Sequence, residues 1–119
     1  MKIIKATIAD AALLHGMRRD SIMGQKPGIW TKEEIYRAAN VIGPDYFENE
    51  FKTGQEFYIF DDIGFVSANN DYLAYLFILP AGQNKGLGTT MLKFIEEKMK
   101  LKHNKIWLWA HTYAENFYF

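Results

Sequence analysis

The feature that most constrains the fold is a glycine-containing loop between an apolar strand and an amphipathic helix. A strand is predicted over residues 72–79, and it is apolar on both faces, as strands buried between two layers usually are. A helix is predicted over residues 86–101. Its inner face is predicted from residues at helical spacing, namely Leu87, Met91, Ile95 and Met99, or Leu92 in place of Met99. A layered domain built around this strand-to-helix junction follows.

The junction has the chemistry of an anion site. The first turn of a helix leaves backbone N–H groups without intrahelical acceptors, and the helix dipole adds partial positive charge there. Gly86 and Gly88 carry no side chain that would block an approaching phosphate. A Walker A loop needs the order Gly-Lys, but the order here is Lys85-Gly86. A dinucleotide-binding fingerprint needs a third glycine at the position of Met91. Neither of these phosphate-binding motifs fits. The alternative is a tight turn that uses glycine only for its geometry.

The remaining elements complete one domain over residues 1–119. The sequence predicts a strand (2–6), helices that begin at the capping boxes Thr7–Asp10 and Thr31–Glu34, a short helix (45–51), a hairpin (57–60 and 63–68), the junction, a strand (106–110) and a final helix (112–119). Ile8, Ala11, Leu14 and Met17 are predicted to face inward together. The strand–helix–strand unit should be parallel and the hairpins antiparallel. The fold class is therefore α/β (α+β), with a central mixed, mostly antiparallel sheet and helices on both faces.

Composition removes several function classes. Lys and Arg number 14, as do Asp and Glu, so no global charge favours nucleic acid or an anionic membrane as a partner. The absence of cysteine excludes disulfides, thiolate metal sites and a cysteine nucleophile. His15, His103 and His111 lack metal-ligand spacing, and we expect no metal. No apolar stretch is long enough for a signal peptide or a membrane helix, which predicts a cytoplasmic protein.

The residues around the loop resemble motif A of the GNAT superfamily of N-acetyltransferases. Ile78-x-Pro80 is followed by Gln83-x-x-Gly86-x-Gly88 without a gap, although Asn84 stands where many members have glycine. The resemblance implies acetyl-CoA as co-substrate, with its pantetheine arm along the backbone of Leu76, Phe77 and Ile78. It also implies a pyrophosphate site in the loop, formed by Gln83, Asn84, Lys85, Gly86, Leu87, Gly88 and Thr89.

A second resemblance lies in residues 110–118. The run Ala110-His111-Thr112-Tyr113-Ala114-Glu115-Asn116-Phe117-Tyr118 is similar to the later GNAT motif, with His111 in place of Gln or Asn. It implies that Tyr118 is the catalytic acid that protonates the leaving CoA thiolate, a step that a phenol can perform. The alternative for Tyr118 is core packing beside Phe117 and Phe119.

The resemblance also implies an activity and a partner. Family members continue for two further strands where this chain stops at Phe119, so we expect a C-terminally short sheet. Either the sequence is truncated or another subunit covers the missing sheet edge, and we expect a homodimer. The implied function is transfer of the acetyl group to a small-molecule or peptide amine by direct attack in a ternary complex. One alternative is a non-catalytic acyl-CoA-binding or degenerate GNAT-like module. The other, outside the family, is an interaction domain whose glycine loop is structural.

Overall fold

Helices cover the two faces of one sheet. The computed structural model describes residues 2–24, 28, 30–69, 72–82, 85–100 and 107–108. The elements are β1 (Ile3–Lys5), α1 (Ala11–Met23), α2 (Lys32–Asn40), α3 (Pro44–Lys52), β2 (Glu56–Phe60), β3 (Gly64–Asn69), β4 (Tyr72–Ile78), α4 (Leu87–Lys100) and β5 (Trp107–Leu108). Short 3-10 turns cover Ile8–Asp10 before α1 and Pro80–Gly82 after β4. The final helix predicted over residues 112–119 lies outside the described residues.

The described strands form one sheet in the order β1-β2-β3-β4-β5. The first four are antiparallel to their neighbours, and β4 and β5 are parallel, with Tyr72 opposite Trp107 and Leu73 opposite Leu108. The prediction of a mixed, mostly antiparallel sheet is confirmed. The long connection from β4 to β5 contains α4, as a parallel pair requires.

Strand alternation divides the core between the two faces of the sheet. Residues Phe57, Ile59, Phe65 and Phe77 pack with buried residues of α1, α2 and α3. Their neighbours Tyr58, Phe60, Val66, Leu76 and Ile78 pack with α4 through Leu87, Met91, Ile95 and Met99. The predicted inner face of α4 is confirmed, and helices cover both sides of the sheet.

The start of α2 is fixed by a reciprocal capping box. Thr31 Oγ1 accepts a hydrogen bond from the Glu34 N–H at 3.1 Å, and the Thr31 N–H donates to Glu34 Oε1 at 3.0 Å. The Thr7 N–H likewise donates to Asp10 Oδ2 at 2.9 Å, but that box opens the 3-10 turn rather than α1. The prediction that Ile8 faces inward is therefore wrong: it is 47% exposed, because the tighter turn rotates it away from the buried face of α1.

The β2–β3 hairpin closes through two aspartates with left-handed backbone. Asp61 and Asp62 have φ values of 49° and 57°, and the Ile63 N–H donates to the Phe60 carbonyl at 3.0 Å, as in a type I′ turn. The Asp61 N–H donates to the Lys2 carbonyl at 2.9 Å. The predicted turn is confirmed, and it also holds the start of the edge strand β1.

Candidate functional site

The junction between β4 and α4 is anchored to the β2–β3 hairpin. The Leu79 N–H donates to the Ile63 carbonyl at 2.7 Å, and the Gly82 N–H donates to the Leu79 carbonyl at 2.9 Å. These bonds fix the chain as it leaves the sheet. The loop that follows therefore starts from a defined position rather than from a free strand end.

Gly82 allows the turn to pack closely on the start of α4. A Cβ atom at this buried position would lie 3.0 Å from Ile78 Cγ2, 3.1 Å from Leu87 Cδ2 and 3.2 Å from Ile63 Cδ1. Such contacts are tighter than most Cβ atoms make, so the neighbouring side chains would have to move by a few tenths of an ångström. Packing therefore favours glycine here, a role that only the three-dimensional contacts reveal.

At Gly86 the chain leaves the loop and enters α4. Its φ of +75° lies in the left-handed region, and its carbonyl accepts hydrogen bonds from Thr90 N–H and Thr90 Oγ1, both at 3.2 Å. The first turn of α4 therefore begins directly after Gly86. In that turn the N–H groups of Leu87, Gly88 and Thr89 have no acceptor within the helix.

The charges around this first turn suit an anion. Lys85 precedes it and is exposed, and no residue of Leu87–Thr90 is acidic. The N-terminal end of the helix dipole adds partial positive charge at the same place. The arrangement has the chemistry of a phosphate or pyrophosphate site.

Three more of the predicted cofactor residues lie on β4. Leu76, Phe77 and Ile78 have exposed fractions of 4%, 2% and 4%, so their side chains belong to the two cores. What they can offer a ligand is backbone. The predicted residues Gln83, Asn84 and Tyr118 lie outside the described residues.

The β3–β4 pairing contains an irregularity four residues before the strand ends. Ser67 is opposite Tyr75 and Ala68 is opposite Leu73, so Ala74 has no counterpart on β3. One extra residue on one strand is a β-bulge, which bends the strand and increases its twist. The bulge immediately precedes the segment of β4 that leads into the loop.

Residues 30–119 match the family model described as "Acetyltransferase (GNAT) domain". The chain belongs to the GNAT acetyltransferase family. The match includes β4, the glycine loop and α4, and it agrees with the resemblance found from motif A. No match was found among curated proteins.

Solved structures with the same fold support the assignment. A GCN5-related N-acetyltransferase from Rhodopseudomonas palustris has a TM-score of 0.77 at 18% identity, over 98% of this chain and 77% of the other. A predicted acetyltransferase from Clostridium acetobutylicum, solved with acetyl-CoA, gives 0.64 at 20% identity, over 98% and 85%. The PaiA N-acetyltransferase from Thermoplasma acidophilum, in complex with coenzyme A, gives 0.68 at 23% identity, over 98% and 83%. At these identities the likeness shows the fold.

This GNAT domain also contains a contact between two tyrosine hydroxyl groups that the sequence did not reveal. Tyr46 on α3 and Tyr75 on β4 are joined through their hydroxyl groups, and Glu50 lies one helical turn beyond Tyr46. Burial, and then the hydroxyl contact with Tyr75, raises the pKa of Tyr46 well above its usual value. Nearby on the sheet, the Ser67 hydroxyl is buried with no hydrogen-bond partner among the described residues.

Among the described residues, no group of three or more His, Asp or Glu side chains could hold a metal ion. Within the same ranges, the helices are too short or too polar to cross a membrane.

Proposed function

We propose that this GNAT domain transfers the acetyl group of acetyl-CoA to an amine by direct attack in a ternary complex. The observation that carries the proposal is the β4–α4 junction. There Gly82 packs against Leu87, Gly86 has a φ of +75°, and α4 opens without an acidic residue. A turn with a purely structural role would need glycine for its geometry. It would not need an exposed lysine next to a first helical turn that lacks acidic residues.

The loop is proposed to bind the pyrophosphate of CoA. The residues are Gln83, Asn84, Lys85, Gly86, Leu87, Gly88 and Thr89. Their contribution is mainly backbone N–H groups at the positive end of the α4 dipole, with the Lys85 ammonium as an additional charge. The pantetheine arm is proposed to lie along Leu76, Phe77 and Ile78, whose buried side chains hold the strand backbone in place.

Bound acetyl-CoA supplies a thioester whose carbonyl carbon accepts the amine directly. The domain supplies proximity, since it holds donor and acceptor together, and N–H donors for the developing oxyanion. Tyr118 is proposed to donate its phenolic proton to the departing thiolate. No covalent bond to the protein is required, which suits a chain that has no cysteine.

The acceptor class is proposed from the family alone: a primary amine on a small molecule or a peptide. A cytoplasmic location, a homodimer and the absence of nucleic-acid and membrane partners stay predictions. The mass of the protein in solution tests the dimer.

The decisive experiment couples acetyl-CoA binding to turnover. Calorimetric titration with acetyl-CoA should give saturable binding, and a panel of polyamines, aminoglycosides, amino acids and peptides should give release of free CoA thiol above the blank. Tyr118→Phe should lower the rate without weakening binding. Saturable binding with no CoA release from any amine would instead support the non-catalytic acyl-CoA module.

The site itself is tested by a charge reversal in the loop. Lys85→Glu places a negative charge beside the pyrophosphate and should weaken CoA binding. Lys93→Glu is the matched control, because Lys93 is exposed on the same helix beyond its first turn. Equal affinities for the two variants would contradict the proposed site.

A further inference from the structure

The guanidinium group of Arg18 lies between α1, α2 and β4. Arg18 on α1 is half-buried, and its Nη1 donates a hydrogen bond to the Ala38 carbonyl of α2 at 3.0 Å. Its Cζ atom lies over the Phe77 ring of β4, 5.8 Å from the ring centroid. Phe77 packs with buried residues of α1, α2 and α3, so these contacts hold the positive charge on that side of the sheet.

The helix α1 runs alongside β4 toward the glycine loop. Its end meets the strand end a second time, because Gly24 packs against the ring of Pro80. The six helical residues from Arg18 to Gly24 and the three extended residues from Phe77 to Pro80 both span about 9–10 Å. Arg18 is therefore about 10 Å from the turn that opens the loop.

Arg18 has no carboxylate partner within ion-pair distance in the part of the chain that the structure describes. The acidic side chains of α1 and α2 all have other partners, in the pairs Asp20–Arg19, Glu33–Arg37 and Glu34–Thr31. A charge held partly out of water without a counter-ion is unfavourable. This half-buried cation therefore favours the binding of an anion from outside the domain.

The contacts within the domain use only part of the guanidinium. It has five N–H donors, and one of them has an acceptor among the described residues, namely the Ala38 carbonyl. The C-terminal end of α2 and the face of the Phe77 ring attract the cation, but each offers only a partial negative charge. The Nε and Nη2 edge of Arg18 is left as a planar pair of donors, the geometry that binds a carboxylate through two parallel hydrogen bonds.

A buried hydroxyl on the same face of the sheet also has unused hydrogen-bonding capacity. Ser67 is 0% exposed, and within the described ranges its Oγ has no hydrogen-bond partner. It follows Phe65 by two residues, so both side chains lie on one face, and Phe65 is opposite Phe77. Buried hydroxyls in proteins are usually paired. Two polar groups on this otherwise aromatic face are thus incompletely used by the domain itself.

The charged groups of CoA do not account for an anion beside Phe77. The proposed pyrophosphate site begins beyond Pro80, about 10 Å away, and has Lys85 and the α4 dipole for its charge. The pantetheine arm, which is proposed to run along β4, carries no carboxylate and no phosphate. An anion at Arg18 therefore has to come from the other substrate.

We propose that Arg18 binds a carboxylate carried by the amine that this domain acetylates. This inference rests on the proposed function and narrows the acceptor class to amino acids and other amines with a carboxylate group. The same charge selects against polyamines and aminoglycosides, whose additional cations it repels. Arg18 is a specificity and positioning residue, and no bond or proton moves at its guanidinium.

Matched amine pairs give the first test: glycine with methylamine, β-alanine with ethylamine, and γ-aminobutyrate with propylamine. In the best pair the carboxylated amine should have a kcat/KM about 10–100-fold higher than its partner. Arg18→Gln should raise KM for that amine by about the same factor and abolish the preference, with KM for acetyl-CoA unchanged. Arg18→Lys, which keeps the charge without the planar fork, should lie between the two.

Arg19→Gln is the matched control, because Arg19 is the next residue of α1 and pairs with Asp20 at 3.1 Å. It should keep the wild-type preference. Absence of any preference in the wild type, or a preference that survives in Arg18→Gln, would overturn the proposal.

A second readout needs no turnover. In calorimetric titrations N-acetylglycine or N-acetyl-β-alanine should bind to the wild type and to Arg19→Gln but at least about 10-fold more weakly to Arg18→Gln. The neutral counterparts N-methylacetamide and N-ethylacetamide should not distinguish the variants. Equal carboxylate binding by the wild type and Arg18→Gln would overturn the carboxylate site.

Titration with acetyl-CoA separates this inference from the proposed function. Arg18→Gln should bind acetyl-CoA like the wild type, and weaker binding in this variant would assign the guanidinium to CoA and overturn the proposal. If acetyl-CoA binds but no amine is acetylated, the proposed function fails, and the carboxylate titration alone then decides the site at Arg18.

Discussion

Gly24, the residue that ends α1, packs directly against the ring of Pro80, which opens the turn between β4 and α4. A Cβ atom at Gly24 would collide with Pro80 Cγ and lie 3.2 Å from Pro80 Cδ and 3.3 Å from the Asp20 carbonyl oxygen. The α1–α3 layer and the glycine loop therefore touch at this point. The position of the loop therefore depends on the end of α1, which is far away in sequence.

Gly24→Ala should destabilise the domain by about 1–3 kcal/mol, because the added methyl group overpacks the contact with Pro80. Urea unfolding measures the change, and calorimetry should show weaker CoA binding if Pro80 moves. Gly16→Ala is the control in the same helix. Its Cβ would meet only Arg19 Nη2, at 3.9 Å, so helix propensity should dominate and stabilise the domain by about 0.5–1 kcal/mol. A loss of stability in both variants would contradict this account of Gly24.

Gly86→Ala should cost about 1–2 kcal/mol of unfolding free energy, because alanine is strained at a φ of +75°. The same strain should shift the first turn of α4 and weaken CoA binding. Gly86→Asn is the informative companion, since asparagine tolerates left-handed backbone better and should recover most of the loss. Equal effects of alanine and asparagine would show that bulk, rather than backbone strain, decides.

Phe47→Ala should destabilise the domain by about 3–5 kcal/mol. Phe47 is 1% exposed, and its ring contacts the edges or faces of Phe57 and Phe65 with centroids 5.7 and 6.0 Å away. It is a fully buried contact between α3 and the sheet. Tyr36→Ala, at a 60% exposed position, should stay within about 0.5 kcal/mol of the wild type in the same unfolding measurement.

Tyr58 should make the domain lose stability in alkali. Burial, with a contribution from hydrogen bonding to Glu56, raises the pKa of Tyr58 to about 12, against 10.0 for an exposed tyrosine. Between these values the unfolded chain has lost the proton and the folded chain has kept it, so stability falls as pH rises. Below about pH 10 the stabilisation is fully present.

Urea midpoints measured across this alkaline range should therefore fall less steeply for Tyr58→Phe than for the wild type. Tyr36→Phe is the control, because Tyr36 is exposed. Parallel curves for wild type and Tyr58→Phe would rule out the assignment to Tyr58.

Local pattern was enough to predict most of the fold. The inner face of α4 and the capping box at Thr31 depend on residues a few positions apart, and both are confirmed. The error at Ile8 is also local: a 3-10 turn has a different rotation per residue, which apolar spacing does not distinguish.

The features of the site that could not be predicted from sequence depend on contacts between residues far apart in the chain. Motif A gave the strand, the loop and the helix, because the anion chemistry lies in consecutive residues. Tyr46 and Tyr75 are 29 positions apart, and nothing in either neighbourhood marks a hydroxyl contact. The tight packing at Gly82 likewise becomes visible only once Leu87 and Ile63 are seen against it.

The bulge at Ala74 divides β4 into two independently aligned parts. Before it, Tyr72 and Leu73 pair with residues 68–69 of β3 and with β5; after it, residues 75–78 pair with residues 64–67 of β3 and lead into the loop. A residue gained or lost in the β3–β4 connection could be absorbed at this point without turning Tyr75 to the other face of the sheet. The hairpin can therefore change length during evolution while the strand end that leads into the glycine loop keeps its orientation.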